Sequence, residues 1–136
     1  MSRLTVNVDG GARGNPGPAA IGVVVRDGSG EVLAEAGETI GEATNNVAEY
    51  RALLRGIELA AEHGATELEL VGDSELVVRQ VEGRYKVKNA GMKPLHEEAK
   101  RALGGFDSWS IRHVRRAENA DADRLVNQAL DGALDG

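Results

Sequence analysis

The order of apolar patterns along the chain restricts the folds that it can adopt. Alternating apolar residues predict strands near residues 3–9, 20–27 and 31–38, with a turn at Asp27-Gly28-Ser29-Gly30 before the third strand. Three consecutive strands joined in this way predict an antiparallel meander. Helix and strand patterns then alternate, which favours parallel strands with helices packed on the faces of the sheet. The sequence therefore predicts an α/β fold built on a mixed sheet.

The second half of the chain contains most of the helical patterns. The predicted elements are a helix at about 45–63, a strand at 67–72, helices at 75–82 and 91–103, a strand at 108–114 and a final helix. Gly56 lies within the first helix, where glycine costs about 1 kcal/mol relative to alanine, so we expect close packing of that helix against the sheet. Residues 1–136 are enough for one domain with one substantial core.

Four acidic residues lie at the ends of predicted elements. Asp9 and Asp73 each end a strand, whereas Glu49 and Asp123 lie near the start of a helix. Each residue alone can be explained as part of a turn or a helix cap. Ligand sites in α/β sheets lie at the strand ends, so we expect the four carboxylates to converge. Because such groups repel one another without a cation, the repeated arrangement predicts a divalent-metal site.

The composition narrows the choice of metal and of cellular location. The chain has no cysteine, which excludes disulfides, cysteine nucleophiles and cysteine-ligated metals. None of the three histidines lies in a recognisable ligand spacing, so oxygen ligands favour Mg²⁺ or Mn²⁺ over zinc. Neither a secretion signal nor an apolar run long enough to span a membrane is recognisable, and we expect a cytoplasmic protein with no membrane partner.

The charge of the chain is unusual for a protein that binds nucleic acid. Its net charge is -6, whereas contact with phosphates usually favours a basic surface. The basic residues that gather locally are Arg84, Lys86 and Lys88, and then Arg112, Arg115 and Arg116. A solvated surface is the usual location of such side chains, so their role in binding stays open.

Four segments together resemble type 1 ribonuclease H. They are Asp-Gly-Gly-Ala-Arg-Gly-Asn-Pro-Gly from Asp9, Thr-Asn-Asn-Val-Ala-Glu-Tyr from Thr44, Gly-Asp-Ser at 72–74, and Asn-Ala-Asp-Ala-Asp-Arg-Leu from Asn119. The resemblance covers nearly the whole chain, and the order and spacing of the segments make it specific. It implies a ribonuclease H-like fold: a five-stranded mixed sheet of order 3-2-1-4-5, with strand 2 antiparallel and helices on both faces.

The resemblance also implies an activity and a set of catalytic residues. The family hydrolyses the RNA strand of RNA/DNA hybrids and leaves 5′-phosphate and 3′-hydroxyl ends. Two Mg²⁺ ions, with Mn²⁺ as a possible substitute, would be held by Asp9, Glu49, Asp73 and Asp123, and no protein nucleophile is needed. We expect a monomer acting on the hybrid.

Further positions are implied to bind the substrate. They are Gly11, Asn15, Thr44, Asn45, Asn46 and Glu75. Amide side chains both donate and accept hydrogen bonds, which suits recognition of the RNA 2′-hydroxyl. The matching asparagines of the family contact the minor groove, and the matching threonine holds a DNA phosphate. Asn45 or Asn46 can alternatively cap the helix. Glu75 replaces a common glutamine and, when ionised, can only accept.

The chain departs from the better-known members of the family at two places. A histidine of the loop before the last carboxylate is missing, and Arg115, Arg116 and Glu118 are the alternatives for its role. The basic helical handle is also missing, because only residues 83–90 join two helices. Asp121 competes with Asp123 for the fourth metal position, and we favour Asp123 because its neighbours match the last motif better.

Two alternatives to a ribonuclease H follow from the same residues. A resolvase-like or exonuclease-like relative would share the acidic residues but not the asparagines. A hybrid-binding module without turnover would keep the fold, but the presence of all four acidic residues argues against it.

Overall fold

The computed structural model describes residues 2–135, and the side chains of residues 2–132. Its strands are β1 (Arg3–Ala12), β2 (Gly17–Arg26), β3 (Val32–Ala43), β4 (Glu67–Gly72) and β5 (Ser108–His113). Its helices are α1 (Asn45–Glu62), α2 (Glu75–Val81), α3 (Lys93–Leu103) and α4 (Ala120–Asp135), and a short 3-10 helix, Arg116–Asn119, precedes α4. No helix among the described residues is long and apolar enough to cross a membrane.

The five strands form one mixed sheet in the order β3-β2-β1-β4-β5. β2 is antiparallel to both of its neighbours, whereas β1, β4 and β5 run parallel. The predicted strand order is therefore confirmed. Val8 of β1 pairs with Gly72 of β4, so the next residues, Asp9 within β1 and Asp73 just past the end of β4, lie side by side.

The main core lies between the sheet and helices α1 and α3. Leu4, Val6 and Val8 alternate along β1 and point into this core, where each is at most 4% exposed. A Cβ atom on Gly56 of α1 would come within 2.8 Å of the methyl groups of Val6 and Val8. The glycine thus allows the close contact between helix and sheet that the sequence predicts.

Helix α4 covers the opposite face of the sheet and packs on β2, β3 and β1. Gly22 and Gly37 are paired across β2 and β3, directly beneath the start of α4. A Cβ atom on Gly22 would overlap the carbonyl of Ala122, and one on Gly37 would lie 3.0 Å from the carbonyl of Leu125. The first turns of α4 therefore rest on the backbone of the sheet, and helices cover both faces as predicted.

The first three strands are longer than the sequence pattern predicts. β1 continues to Ala12 instead of ending near residue 9, and β2 begins at Gly17 instead of near residue 20. The glycine-rich segment continues the antiparallel ladder, with Gly10 paired to Ile21 and Ala12 paired to Ala19. Gly10 lets β1 continue past α1, because a Cβ atom there would overlap the Ala48 carbonyl, so only the residues between Ala12 and Gly17 form the turn.

Candidate active site

Three carboxylates from different elements meet at the ends of β1 and β4. Oxygen atoms of Asp9, Glu49 and Asp73 all lie within 4.8 Å of one another. Asp9 belongs to β1, Glu49 to the second turn of α1, and Asp73 to the junction between β4 and α2. Asp9 and Glu49 are buried, and Asp73 is half-buried. The structure thus brings together three of the four acidic residues that the sequence singled out.

Because Gly10 has no side chain, α1 can approach β1 closely enough to place Glu49 beside Asp9. A Cβ atom at Gly10 would overlap the backbone carbonyl of Ala48, so β1 and α1 touch backbone to backbone at this point. The Gly10 amide donates a hydrogen bond to Oε1 of Glu49 at 3.2 Å. Thr44 is the N-cap of α1, and its Oγ1 accepts from the Val47 amide at 3.2 Å. Asn45 and Asn46 are therefore not the cap.

Asp73 is not used to cap the helix that follows it. Ser74 is the N-cap of α2, and its Oγ accepts from the Val77 amide at 3.3 Å. The Asp73 carboxylate consequently remains directed toward Asp9 and Glu49.

Asp123 and Asp121 lie in different surroundings, although both belong to the first turn of α4. Asp123 lines a cleft of about 460 Å³ together with the three clustered carboxylates. Its Oδ1 accepts from Nη2 of Arg116 at 3.1 Å. Asp121 instead pairs with Arg26 of β2, in a separate cleft that also includes Asn7. Asp123 lies beside the three-residue cluster without belonging to it, and Asp121 lies away from both.

The clustered carboxyls resist ionisation. Burial, followed by the negative charge of Asp73, raises the pKa of Asp9 from 3.8 to about 7. Burial and the adjacent Asp9 raise the pKa of Glu49 well above its usual range. A divalent cation would remove this repulsion, because it stabilises the ionised form of each ligand. The donor set is made only of carboxylate oxygens, which are the ligands that Mg²⁺ and Mn²⁺ prefer.

Comparison with known proteins gives consistent matches. The family profile described as Reverse transcriptase-like matches residues 7–129. The chain is 49% identical over 131 residues to Ribonuclease HI of Halobacterium salinarum. The aligned region covers 96% of this chain and 66% of that protein. It is 35% identical over 145 residues to Ribonuclease H of Erythrobacter litoralis, covering 96% of this chain and 98% of that protein. The chain belongs to the type 1 ribonuclease H family.

One solved ribonuclease H structure has the same fold and also contains nucleic acid. LC11-RNase H1, crystallised in complex with an RNA/DNA hybrid, is 45% identical, with a TM-score of 0.92 and coverage of 96% of this chain and 99% of that chain. Some relatives are considerably longer. The chain spans 66% of the Halobacterium protein and 36% of a bifunctional protein of Mycobacterium tuberculosis with which it is 46% identical.

The asparagines predicted to bind substrate lie at the edge of the cleft of this ribonuclease H domain. Asn45 and Asn46 line the cleft, as does Gly11. Oδ1 of Asn15 accepts a hydrogen bond from the backbone N–H of Asn45 at 3.0 Å. Oδ1 of Asn45 accepts one from the backbone N–H of Ala12 at 2.9 Å. These two bonds fasten the Ala12–Gly17 turn to the start of α1. They use the oxygen of each side-chain amide, and no hydrogen bond among the described residues uses the Nδ2 group of Asn15 or Asn45, so both groups keep their donors for other partners.

Two other predicted positions lie differently. Thr44 is half-buried and its hydroxyl caps α1, so it directly precedes the cleft-lining Asn45 without being among the described residues that line the cleft. Glu75 is exposed on the first turn of α2, and it is not among the described residues that line the cleft. The residue before it, Ser74, does line the cleft, so Glu75 follows the cleft along the chain without lining it.

The structure separates the three alternatives for the missing loop histidine. Arg115 pairs with Glu118 at 3.3 Å, and both side chains are largely exposed. Arg116 lines the cleft and contacts Asp123, so it alone of the three belongs to the candidate site. Periodicity does not distinguish Arg115 from Arg116, because the short 3-10 helix that orients them has no apolar pattern of its own.

Sequence reasoning missed Asn119. This residue lies within one of the motifs, but nothing in the pattern indicates that its side chain is buried and bonded to β1. The available signal was an asparagine four residues before a candidate ligand, which is equally typical of a helix start.

Proposed function

We propose that this chain is an endoribonuclease that hydrolyses the RNA strand of RNA/DNA hybrids and leaves 5′-phosphate and 3′-hydroxyl ends. The observation that carries the proposal is the cluster of Asp9, Glu49 and Asp73 in a cleft edged by asparagine amides. The complex of LC11-RNase H1 with an RNA/DNA hybrid supports the choice of substrate, since that protein has the same fold and is 45% identical.

The residues that would hold metal are Asp9, Glu49, Asp73 and Asp123, and the metal that we propose is Mg²⁺, two ions per site, with Mn²⁺ as a substitute. The raised pKa values of Asp9 and Glu49 support a cation, because burial and mutual repulsion disfavour the ionised form of both carboxyls and a bound cation would offset this. The chemistry that a pair of bound ions supplies is activation of a water molecule and stabilisation of the leaving oxygen.

The residues around the acidic cluster would hold the substrate and control charge. Asn15 and Asn45 would direct their Nδ2 donors to the minor groove of the hybrid, where the 2′-hydroxyl distinguishes RNA from DNA. Gly11, which has no side chain, would leave room for the hybrid, and Asn46 would contact the minor groove as well. Thr44 would hold a phosphate of the DNA strand. Glu75, at the start of α2, would act only as a hydrogen-bond acceptor for the substrate, because an ionised carboxylate cannot donate.

Arg116 would bring a positive charge to the cleft where the scissile phosphate has to lie. Its guanidinium is held by Asp123 at 3.1 Å, and its side chain is 76% accessible, so it can move toward a phosphate when Asp123 binds metal. This is the function that we propose in place of the missing loop histidine.

We further propose that residues 1–136 act as one domain, as a monomer and in the cytoplasm. The three clustered carboxylates converge without a residue from a second copy of the chain, so the proposed site does not require a dimer. Size-exclusion chromatography with light scattering would test this: a dimer that dissociates with loss of activity would contradict it.

The proposed function is tested by cleavage of an end-labelled RNA/DNA hybrid beside single-stranded RNA and duplex DNA, with Mg²⁺, Mn²⁺ or a chelator. We expect the wild type to cut only the hybrid and only with metal. Asp73→Asn and Asp123→Asn should each lower kcat by at least about 100-fold, whereas Asp121→Asn should lower it by less than about threefold. Equal losses from the Asp121 and Asp123 changes would contradict the assignment of Asp123.

A folded wild type that binds the hybrid but does not cut it with either metal would instead favour the non-catalytic binding module. Cleavage of branched DNA or of single strands without a preference for the hybrid would favour the resolvase-like or exonuclease-like relatives.

A further inference from the structure

Asn119 is a polar residue that is almost completely buried. It ends the 3-10 helix Arg116–Asn119 and is 1% exposed. It precedes Asp123 by about one turn of helix. Burial of an amide costs free energy unless its donor and its acceptor both form hydrogen bonds. The partners of this side chain therefore indicate what position 119 has to do.

Both hydrogen bonds of the Asn119 amide lead to β1. Its Nδ2 donates to the carbonyl of Val8 at 2.9 Å, and its Oδ1 accepts from Nδ2 of Asn7 at 3.0 Å. Val8 directly precedes Asp9. One side chain thus joins the segment that leads into Asp123 to the strand that carries Asp9.

A second connection joins the same two segments. Nη1 of Arg26 donates to Oδ1 of Asn7 at 3.2 Å, and its Nη2 is bonded to Asp121 in the first turn of α4. The Asp121 side chain is 54% accessible, so this ion pair adds little stability by itself. We call the four residues Asn7, Asn119, Arg26 and Asp121 the β1–α4 bridge. Asn119 is its buried centre.

We infer that Asn119 is a positioning residue for the reaction, an inference that rests on the proposed function. Asn119 is not among the described residues that line the cleft, so it acts through the residues that it holds. Its two bonds fix the start of α4 relative to the end of β1, and thereby set the separation of Asp123 from Asp9. An apolar side chain would fill the same space, but it would leave the Val8 carbonyl without its partner.

The test compares the wild type with Asn119→Ala well below the Tm of the variant. We expect kcat on the RNA/DNA hybrid to fall by about 10- to 100-fold, as for other groups that orient metal ligands. KM for the hybrid should change little, because the substrate-binding asparagines belong to other elements. The affinity for Mg²⁺, measured by calorimetry without substrate, should fall by a similar factor.

A control variant separates positioning from loss of stability. Leu103 lies at the end of α3, is fully buried and belongs to the main core, far from the carboxylates in the fold. Leu103→Ala should lower the Tm at least as much as Asn119→Ala, yet leave kcat and Mg²⁺ affinity unchanged at a temperature where both variants are folded.

Asn7→Ala serves if Asn119→Ala does not fold. This change removes one of the two hydrogen bonds of Asn119, together with the bond that Arg26 donates to Asn7, and keeps the Asn119 to Val8 contact. We expect kcat to fall by about 3- to 10-fold, the equivalent of one neutral hydrogen bond, again with little change in KM.

Three results would overturn the inference: unchanged kcat and Mg²⁺ affinity in a folded Asn119→Ala variant, unchanged values in Asn7→Ala if the first variant does not fold, or equal losses in Leu103→Ala. Failure of the proposed function is distinguishable, because it concerns the wild type. A wild type that neither binds Mg²⁺ nor cuts the hybrid would overturn both, whereas a wild type that binds Mg²⁺ without cutting leaves the Mg²⁺ affinities to decide the role of Asn119.

Discussion

The carboxyl group of Asp9 lies where a negative charge is difficult to maintain. Little water reaches it, and both Glu49 and Asp73 lie within a few ångströms. Each property alone raises the pKa of an acid, and together they raise the pKa of Asp9 to about 7. The same residue is therefore a strong ligand when a cation is present and a source of instability at neutral pH when it is absent.

This property predicts how the metal-free protein responds to pH. The folded-state pKa of Asp9 is raised from 3.8 to about 7, so between these values the folded protein keeps a proton that the unfolded chain releases. Its contribution to stability is fully present below about pH 4 and is lost as the pH rises through about 7. In chelator, we expect the unfolding free energy to decrease by about 2 kcal/mol between pH 5 and pH 8.

Thermal denaturation at the two pH values, with chelator and with Mg²⁺, measures this effect. Mg²⁺ should raise the Tm more at pH 8 than at pH 5. Asp9→Asn removes the group that titrates, so the Tm of this variant should depend less on pH and little on Mg²⁺. If the Tm of the metal-free wild type were the same at pH 5 and pH 8, the explanation by buried carboxyls would be wrong.

At the scale of elements, two glycines determine how closely α4 approaches the sheet. Gly22 and Gly37 lie under its first turns, and Gly22 is also paired with Asp9 on the neighbouring strand. The row Asp9, Gly22 and Gly37 therefore runs across the three strands beneath the helix that carries Asp123. A side chain at Gly22 or Gly37 would lift the helix away from Asp9.

Gly22→Ala should accordingly lower both activity and stability. Its Cβ atom would overlap the Ala122 carbonyl, which cannot move without the helix, so we expect a loss of about 1–3 kcal/mol in stability and at least about a tenfold decrease in kcat. Gly37→Ala should have a smaller effect, because its Cβ would lie 3.0 Å from the nearest atom, the Leu125 carbonyl oxygen.

Gly28→Ala is the matched control for these variants, since a Cβ atom there would meet nothing within 4 Å. Hybrid cleavage and thermal denaturation of the three variants provide the comparison. A Gly22→Ala enzyme as active as the Gly28→Ala enzyme would contradict this account of how α4 is placed.

The same elements show which properties were predictable. The strand order and the approach of Asp9 to Asp73 followed from local patterns and from the family motifs, because parallel strands align their ends. The partner of Asp121, the choice of Arg116 and the burial of Asn119 did not follow. Each depends on where α4 lies relative to β1 and β2, a relation between segments far apart in sequence that no local pattern encodes.

At the scale of the whole molecule, the charge distribution matters more than the net charge of -6. Residues 82–92 join α2 to α3 without a helix of their own, and Lys86 and Lys88 are exposed there. The end of this segment approaches α1, since a Cβ atom on Gly91 would lie 3.9 Å from Val47. The first turn of α1 also carries Asn45 and Asn46. Because the end of the segment lies beside this turn, we expect Lys86 and Lys88 to contribute positive charge toward a bound hybrid.

A variant with both Lys86→Ala and Lys88→Ala should bind the hybrid more weakly without a change in kcat. We expect KM to rise by about tenfold at low salt. The slope of log KM against log salt concentration should decrease by about two, one for each lost phosphate contact. Arg101→Ala is the control, because it removes a positive charge from an exposed position near the end of α3, the helix that leads to the edge strand β5. Identical salt dependence in the double variant and the control would exclude the segment from binding.

The central position of β1 has a consequence for the order in which the protein is made. Its contacts with β2 form early during synthesis, but its parallel partner β4 begins at Glu67, and the bond between Asn119 and Val8 joins residues 111 positions apart. Contacts at such separations form late in folding. A chain still attached to the ribosome can build the meander, but it cannot complete the metal site until α4 has emerged. If the proposed function holds, nuclease activity therefore cannot begin before the segment that carries Asp123 has been synthesised and has packed on β1 and β2.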